Sequence, residues 1–217
     1  MIQITRAGAI SAGSPEPEQA LRAEFDERHC VRICQFFEPG LLELVQRGLE
    51  QAEFYDRAHA DIGLELCMAD NHLSGLLHFL TSSPPLFEAI ERITGCGRIG
   101  SFEGRVYRMI PGGGHYDSWH GDTGHQRMIG MSVNLSTAPY SGGVFQLREH
   151  KDGPIRCEVA NTGFGDAILF RISPYLFHRV TPVEGTAAKT AFAGWYVPQP
   201  HWHPLVRAAA QGVLHEE

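Results

Sequence analysis

The chain has 217 residues, 43% of them hydrophobic and 20% charged, enough material for a packed core that needs no disulfide staples. With 25 acidic against 18 basic residues the formal net charge is -7, so no basic face is expected for a phosphate backbone and nucleic acid is excluded as the expected partner. No run approaches the roughly 20 consecutive apolar residues of a membrane helix, so no membrane partner is expected.

In chain order, residues 1–14 lack the continuous apolar stretch of a signal peptide, and residues 1–19, rich in Ser, Gly, Pro and Glu from 11 to 18, read as a loose lead-in. Residues 20–100 read as a helical support layer with one short strand at 31–37. Leu41, Leu44, Val45, Leu49 and Ala52 recur at helical spacing behind Pro39. A second helix is predicted with Ser83 as cap, Pro84 and Pro85 at its start, Leu86, Ile90 and Ile93 as its apolar stripe, and Gly95 as its stop.

Beyond Gly100 the period changes to two. Ile129, Met131, Val133 and Leu135 alternate with Gly130, Ser132, Asn134 and Ser136, a strand with one apolar face and one small or polar face. Further strands are predicted at 102–110, 144–148, 156–159, 167–172, 177–183 and 190–197, joined by Gly- and Pro-marked turns. Strands without intervening helices cannot form parallel βαβ units, which leaves an antiparallel sandwich or barrel. The fold class is therefore mostly β with N-terminal helices: a jelly-roll core over 101–200, a tail over 201–217, and residues 20–217 acting as one domain. Five cysteines (Cys30, Cys34, Cys67, Cys96, Cys157), an odd number with no CxxC pair, suit buried reduced thiols and a cytoplasmic location.

Twelve histidines invite a search for metal-ligand spacing. His-x-Asp occurs four times, at His59/Asp61, His115/Asp117, His120/Asp122 and His150/Asp152, where chance gives roughly 0.4. On a strand, residues i and i+2 share a face, so an imidazole and a carboxylate there can bind one ion. A second His from a returning strand completes a two-His, one-carboxylate facial triad, which at Fe(II) leaves positions open for substrate and oxygen. His59/Asp61 falls in the expected helical half and reads as a surface pair. His150/Asp152 stands in a turn only 26 residues before His178, too few for the intervening strands. His115/Asp117 and His120/Asp122 both follow the turn Pro111-Gly112-Gly113-Gly114, and local sequence leaves both open. His201 and His203, between Pro200 and Pro204, read as a loop.

Over roughly 105–197 the chain resembles the iron(II)/2-oxoglutarate-dependent dioxygenases, in their prolyl-4-hydroxylase-like branch. The resemblance rests on Arg105-Val106-Tyr107, Tyr116, Trp119-His120-Gly121-Asp122, Arg127, Asn134-Leu135 and Gly142-Gly143-Val144-Phe145-Gln146-Leu147. It continues through Gly165-Asp166-Ala167-Ile168-Leu169-Phe170, His178-Arg179-Val180-Thr181-Pro182-Val183, Lys189 and Gly194-Trp195. It implies a double-stranded β-helix (cupin-like) core with Fe(II) held by His120, Asp122 and His178. It further implies 2-oxoglutarate as co-substrate, its far carboxylate on Lys189, with O2 consumed and succinate and CO2 released. Relatives that halogenate lack the carboxylate so that a halide takes its place, so Asp122 implies hydroxylation of an unactivated C–H bond.

Tyr107, Tyr116 and Asn134 fall near positions that line the co-substrate pocket in relatives. A core role for Tyr107, a cross-strand contact for Asn134, and surface pairing for Arg127 and Arg179 are the plainer alternatives. The expected substrate is an amino acid, a peptide or another small organic molecule, facing residues 56–72 and the loops after Asp122 and Ser136. Two rival readings use the same ligands: a non-catalytic jelly-roll binder of metal or small molecules, and a zinc hydrolase. The binder has no need of a buried cation, and the hydrolase lacks an obvious general base.

Overall fold

A computed structural model describes residues 2–11, 15–60, 62–160 and 162–198. The first of these form a hairpin, β1 (Ile2–Thr5) and β2 (Gly8–Ser11), followed by α1 (Pro15–Arg28). This corrects the loose lead-in expected over 1–19. Ile2 and Ile4 are buried in the main core, and the Ile4 amide donates to the Phe36 carbonyl at 2.6 Å. The Pro/Glu-rich stretch is a helix start: Glu16 and Glu18 complement the N-terminal dipole of α1, and Arg92 Nε donates to Glu18 at 2.8 Å.

β3 (Cys30–Ile33) precedes α2 (Pro39–Glu50), which buries Leu41, Leu42, Val45 and Leu49 while Leu44 is left 37% exposed. A hairpin, β4 (Phe54–His59) and β5 (Gly63–Met68), then interrupts the half expected to be helical apart from one short strand. Its outer strand reads Phe-Tyr-Asp-Arg-Ala-His and is mostly exposed, so it carries almost no apolar periodicity. α3 (His72–Thr81) starts on a reciprocal capping box between Asn71 and Ser74. α4 (Pro84–Thr94) ends at Gly95, whose φ of +63° suits a residue without a Cβ. Ser83 makes no capping bond; its hydroxyl donates to the Leu80 carbonyl at 3.3 Å instead.

The remaining strands are β6 (Ile99–Met109), β7 (Tyr116–His120), β8 (Ile129–Asn134), β9 (Ser141–Gly142), β10 (Phe145–Glu149) and β11 (Ile155–Val159). After them come β12 (Ala167–Arg171), β13 (Leu176–Val180), β14 (Val183–Glu184) and β15 (Lys189–Pro198). Among the described residues one antiparallel sheet runs β11-β10-β13-β7-β5-β6-β15-β8-β12-β3, with β4 added to β5. It curls over on itself. Cys157, Phe145, Leu147 and Leu176 from one end share an apolar cluster with Ile168, Phe170 and Cys30 from the other. This nearly closed barrel is a double-stranded β-helix.

The helices pack outside β6, β15, β8 and β12, where Leu77, Leu86, Ile90 and Ile93 join Phe102, Val133, Phe192 and Tyr196 in the largest cluster. Each such side chain contributes roughly 2 kcal/mol on burial. The alternation of β8 has its reason here: Ile129, Met131 and Val133 face this core, and Gly130 is small because a Cβ would overlap the Phe170 ring. No described helix is long and apolar enough to cross a membrane. The predicted tail, His201 and His203, and Asp61 lie outside the described residues.

One carboxylate locks the end strand. Asp166, 4% exposed, accepts from Gln35 N at 2.7 Å, Gly163 N at 2.9 Å and both Nε and Nη2 of Arg32 at 3.0 and 2.5 Å. Asp166→Ala orphans two backbone donors and is expected to cost about 3 kcal/mol in chemical denaturation. A loss below about 0.5 kcal/mol would show that the turn does not depend on this carboxylate.

Candidate metal centre and its cavity

β7 and β13 pair antiparallel with His120 directly opposite His178, and Asp122 follows two residues after His120 as the strand ends. The register places His178 Nε2 3.3 Å from Asp122 Oδ2 and His120 Nε2 3.7 Å from Asp122 Oδ1. One ligand atom from each of the three lies within 4.8 Å of the others. The donor set of two imidazoles and one carboxylate fits a single divalent ion with open positions, the facial arrangement suited to non-heme Fe(II).

The surrounding bonds orient these donors. His120 Nδ1–H donates to the Ser118 carbonyl at 2.7 Å, which leaves the Nε2 lone pair free, and Asp117 Oδ1 lies 3.3 Å from the same Nδ1. The Trp195 indole N–H donates to Asp122 Oδ2 at 2.6 Å and Arg127 Nη1 to Oδ1 at 3.3 Å. Burial alone would raise the Asp122 pKa, but the hydrogen bond and charge of His178, with His120 and the indole, outweigh it and hold the carboxyl well below the usual range. Asp117 is pushed up by burial against the charges of His120 and His178. His178 packs 4.7 Å from the Phe170 ring and 4.3 Å from the His120 ring, which fixes its plane.

A cavity of about 300 Å³ contains all three residues. Lys189, Tyr107 and Tyr116 line it as well. Lys189 is 5% exposed and donates from Nζ to the Gly143 carbonyl at 2.7 Å, with the Tyr140 ring 5.9 Å away. Burial pulls its pKa down to about 8, opposed by the charge of Asp117. Tyr107 is 7% exposed and its hydroxyl is pushed up by burial, whereas Tyr116 is 44% exposed at the mouth. Burial likewise raises Tyr140 to about 12.

Other predicted residues sit elsewhere. Asn134 does not line this cavity. Its amide donates to the Thr162 and Gly163 carbonyls and its Oδ1 accepts from Ser136 N at 3.0 Å, so it pins a turn. His115 accepts from Ile110 N at 2.8 Å through Nδ1, and of the His115/Asp117 pair only Asp117 reaches the cavity, behind His120. His150 does not line the cavity. His59, half-buried, lines the cavity rather than forming an isolated surface pair, 3.3 Å from Glu65 and from Arg105 Nη2. Trp195 is cavity wall, while Trp119 lies between the guanidiniums of Arg148 and Arg179 at 4.0 and 4.7 Å. Glu65, paired with Arg105 at 2.6 Å, and Tyr140 carry no local motif, and only the folded chain reveals them.

Residues 104–197 match the family model described as the 2OG-Fe(II) oxygenase superfamily. The fold is shared with a Pseudomonas putida prolyl-4-hydroxylase (17% identity, TM-score 0.60, covering 84% of this chain and 100% of that one). It is also shared with a Trichoplax adhaerens prolyl hydroxylase in complex with a hypoxia inducible factor peptide (16%, TM-score 0.63, 84% and 89%). A third likeness is to SnoN, a non-heme alpha-ketoglutarate-dependent epimerase of nogalamycin biosynthesis (15%, TM-score 0.64, 85% and 84%). No curated protein sequence matches the chain significantly. Residues 104–197 are thus similar to the 2OG-Fe(II) oxygenase superfamily, and the fold is the one shared by prolyl-4-hydroxylases. The cofactors of that superfamily are Fe(II), 2-oxoglutarate and O2.

The two His-x-Asp pairs are separable by experiment. His120→Ala is expected to abolish stoichiometric Fe(II) binding in an anaerobic equilibrium titration, and His115→Ala to leave it within about twofold. The reverse pattern would move the centre to His115 and Asp117.

Proposed function

We propose that His120, Asp122 and His178 hold Fe(II), that Lys189 holds the far carboxylate of 2-oxoglutarate, and that the enzyme hydroxylates an unactivated C–H bond of an amino acid, peptide or other small organic molecule, with succinate and CO2 as co-products. Fe(II), 2-oxoglutarate and O2 together supply the oxidant for cleaving such a bond. The observation that carries the reading is a single cavity holding both the triad and a buried lysine whose only hydrogen bond among the described residues goes to a carbonyl.

The chain's own groups have distinct tasks. The Ser118 carbonyl holds His120 in the tautomer that presents Nε2, while the Trp195 indole and Arg127 fix the Asp122 carboxylate. Phe145, Ile168 and Phe170 exclude water from the inner wall, which strengthens the attraction between Lys189 and an incoming carboxylate. Tyr107 borders the same chamber, and Tyr116 stands at its mouth. A plain metal binder has no use for a cation that costs free energy to bury. A zinc hydrolase would need a free base, yet Asp117 beside the triad is turned onto His120. The prolyl hydroxylase neighbours favour hydroxylation of an amino acid or peptide.

The test is an anaerobic visible-absorption titration of metal-free protein with Fe(II) and then 2-oxoglutarate. A broad metal-to-ligand charge-transfer band that needs both additions is expected, and Lys189→Ala is expected to weaken 2-oxoglutarate binding at least ~30-fold. Iron binding with no band at any 2-oxoglutarate concentration would sink the reading. Asp122→Gly is expected to lose hydroxylation.

Lys189 also predicts a pH dependence. Its pKa is lowered to about 8, so the cation is present below that pH and lost above it. The dissociation constant of 2-oxoglutarate should therefore climb about tenfold per pH unit above about 8. In Lys189→Arg the guanidinium stays charged and the dependence should vanish. A flat wild-type profile from pH 7 to about 9.5 would remove Lys189 from the co-substrate site.

A further inference from the structure

The cavity contains a cation whose only carboxylate partner among the described residues is a candidate iron ligand. Arg127 leaves the loop between β7 and β8 and lays its guanidinium 3.5 Å over the Trp195 ring, with its side chain 19% exposed. Nη1 donates to Asp122 Oδ1 at 3.3 Å, and its buried Nε has no hydrogen-bond partner among the described residues. A buried unpaired N–H costs about 1–3 kcal/mol, a reason to expect a partner from outside the chain. Charge drawn from Asp122 toward a dication would leave the guanidinium in place and its anion largely spent.

The other carboxylates facing this space are committed. Glu65 accepts from Arg105 Nε at 2.6 Å and faces His59, and Asp117 faces His120. Lys189, deeper in the cavity, is reserved for the co-substrate. Arg57 adds a second cation, its guanidinium set against the Cys67 sulfur at 4.0 Å. Ile62, Leu64 and Tyr116 give the same space apolar walls.

We propose that Arg127 binds a carboxylate of the primary substrate, with Arg57 reinforcing it, so that the substrate is a small organic acid with an apolar body rather than an uncharged internal peptide segment. The proposal rests on the iron and co-substrate assignment above. Because Arg127 touches Asp122, the carboxylate sits beside the metal centre and the oxidised carbon lies only a few bonds from it.

The probes are N-acetyl derivatives of proline, leucine and phenylalanine, each as the free acid and as the primary amide. They are titrated anaerobically into protein loaded with Fe(II) and 2-oxoglutarate, following both the charge-transfer band and tryptophan fluorescence. At least one acid is expected to perturb both signals, with its amide about tenfold weaker or worse. Arg127→Gln should erase the preference for acid over amide, and Arg127→Lys should restore part of it. Amides that bind as tightly as acids, acids silent up to about 10 mM, or a preference that survives in Arg127→Gln would overturn the proposal. If no band forms yet an Arg127-dependent acid preference appears in fluorescence, the carboxylate site stands and the cofactor assignment falls.

Discussion

The pairing of β7 with β13 is the constraint on which the rest of the site depends. Because side chains alternate with a period of two, a one-residue slip would turn His178 to the opposite face and empty the centre of one imidazole. With His178 opposite His120, the carboxylate two residues after His120 is brought between the two rings. The register is held from both flanks. β10 pairs with β13 through five residues, and β5 meets β7 at Gly63 and Leu64. The close approach of β5 explains Gly63, where a Cβ would lie 2.6 Å from the Tyr116 carbonyl oxygen.

Around this pairing the barrel keeps a polar interior that an optimally stable core would lack. Among the described residues, buried Lys189 and half-buried Arg127 have fewer partners than donors, and the imidazole and carboxylate donors of the triad converge on one another. Such groups cost free energy in a low-dielectric setting and are sustained by the surrounding fold. The compensation lies elsewhere: the apolar cluster under the helices, and the Asp166 clamp on the end strand. Stability and chemistry thus occupy different faces of the same strands. β8 shows it most directly, with Met131 and Val133 at the helix-facing core and Ser132 on the cavity.

Much of the fold was legible in local sequence. α2 and α4 announce themselves by prolines at their starts and apolar residues at helical spacing, and most core strands by alternation between Gly-marked turns. What failed to show was structure without an apolar signature. β4 is Phe-Tyr-Asp-Arg-Ala-His with mostly exposed side chains, and it forms because β5 offers an edge. The same blindness turned His59 into a surface residue, since its neighbours Glu65 and Arg105 come from other strands. His120, Asp122 and His178 were readable as candidates from spacing, but the choice between two adjacent His-x-Asp pairs needed either family likeness or the β7–β13 register. Asn134 was legible only in part: it falls near the pocket, but its amide is engaged by backbone groups of a turn that spacing cannot reveal.

The central claim is geometric, so its most direct test is a crystal structure grown anaerobically with Fe(II) and 2-oxoglutarate. The account predicts one metal ion bonded to Nε2 of His120, Nε2 of His178 and a carboxylate oxygen of Asp122 at about 2.0–2.2 Å. It also predicts the far carboxylate of 2-oxoglutarate within hydrogen-bond distance of Lys189 Nζ. A metal held by any other set of side chains, or a co-substrate whose far carboxylate points away from Lys189, would contradict it.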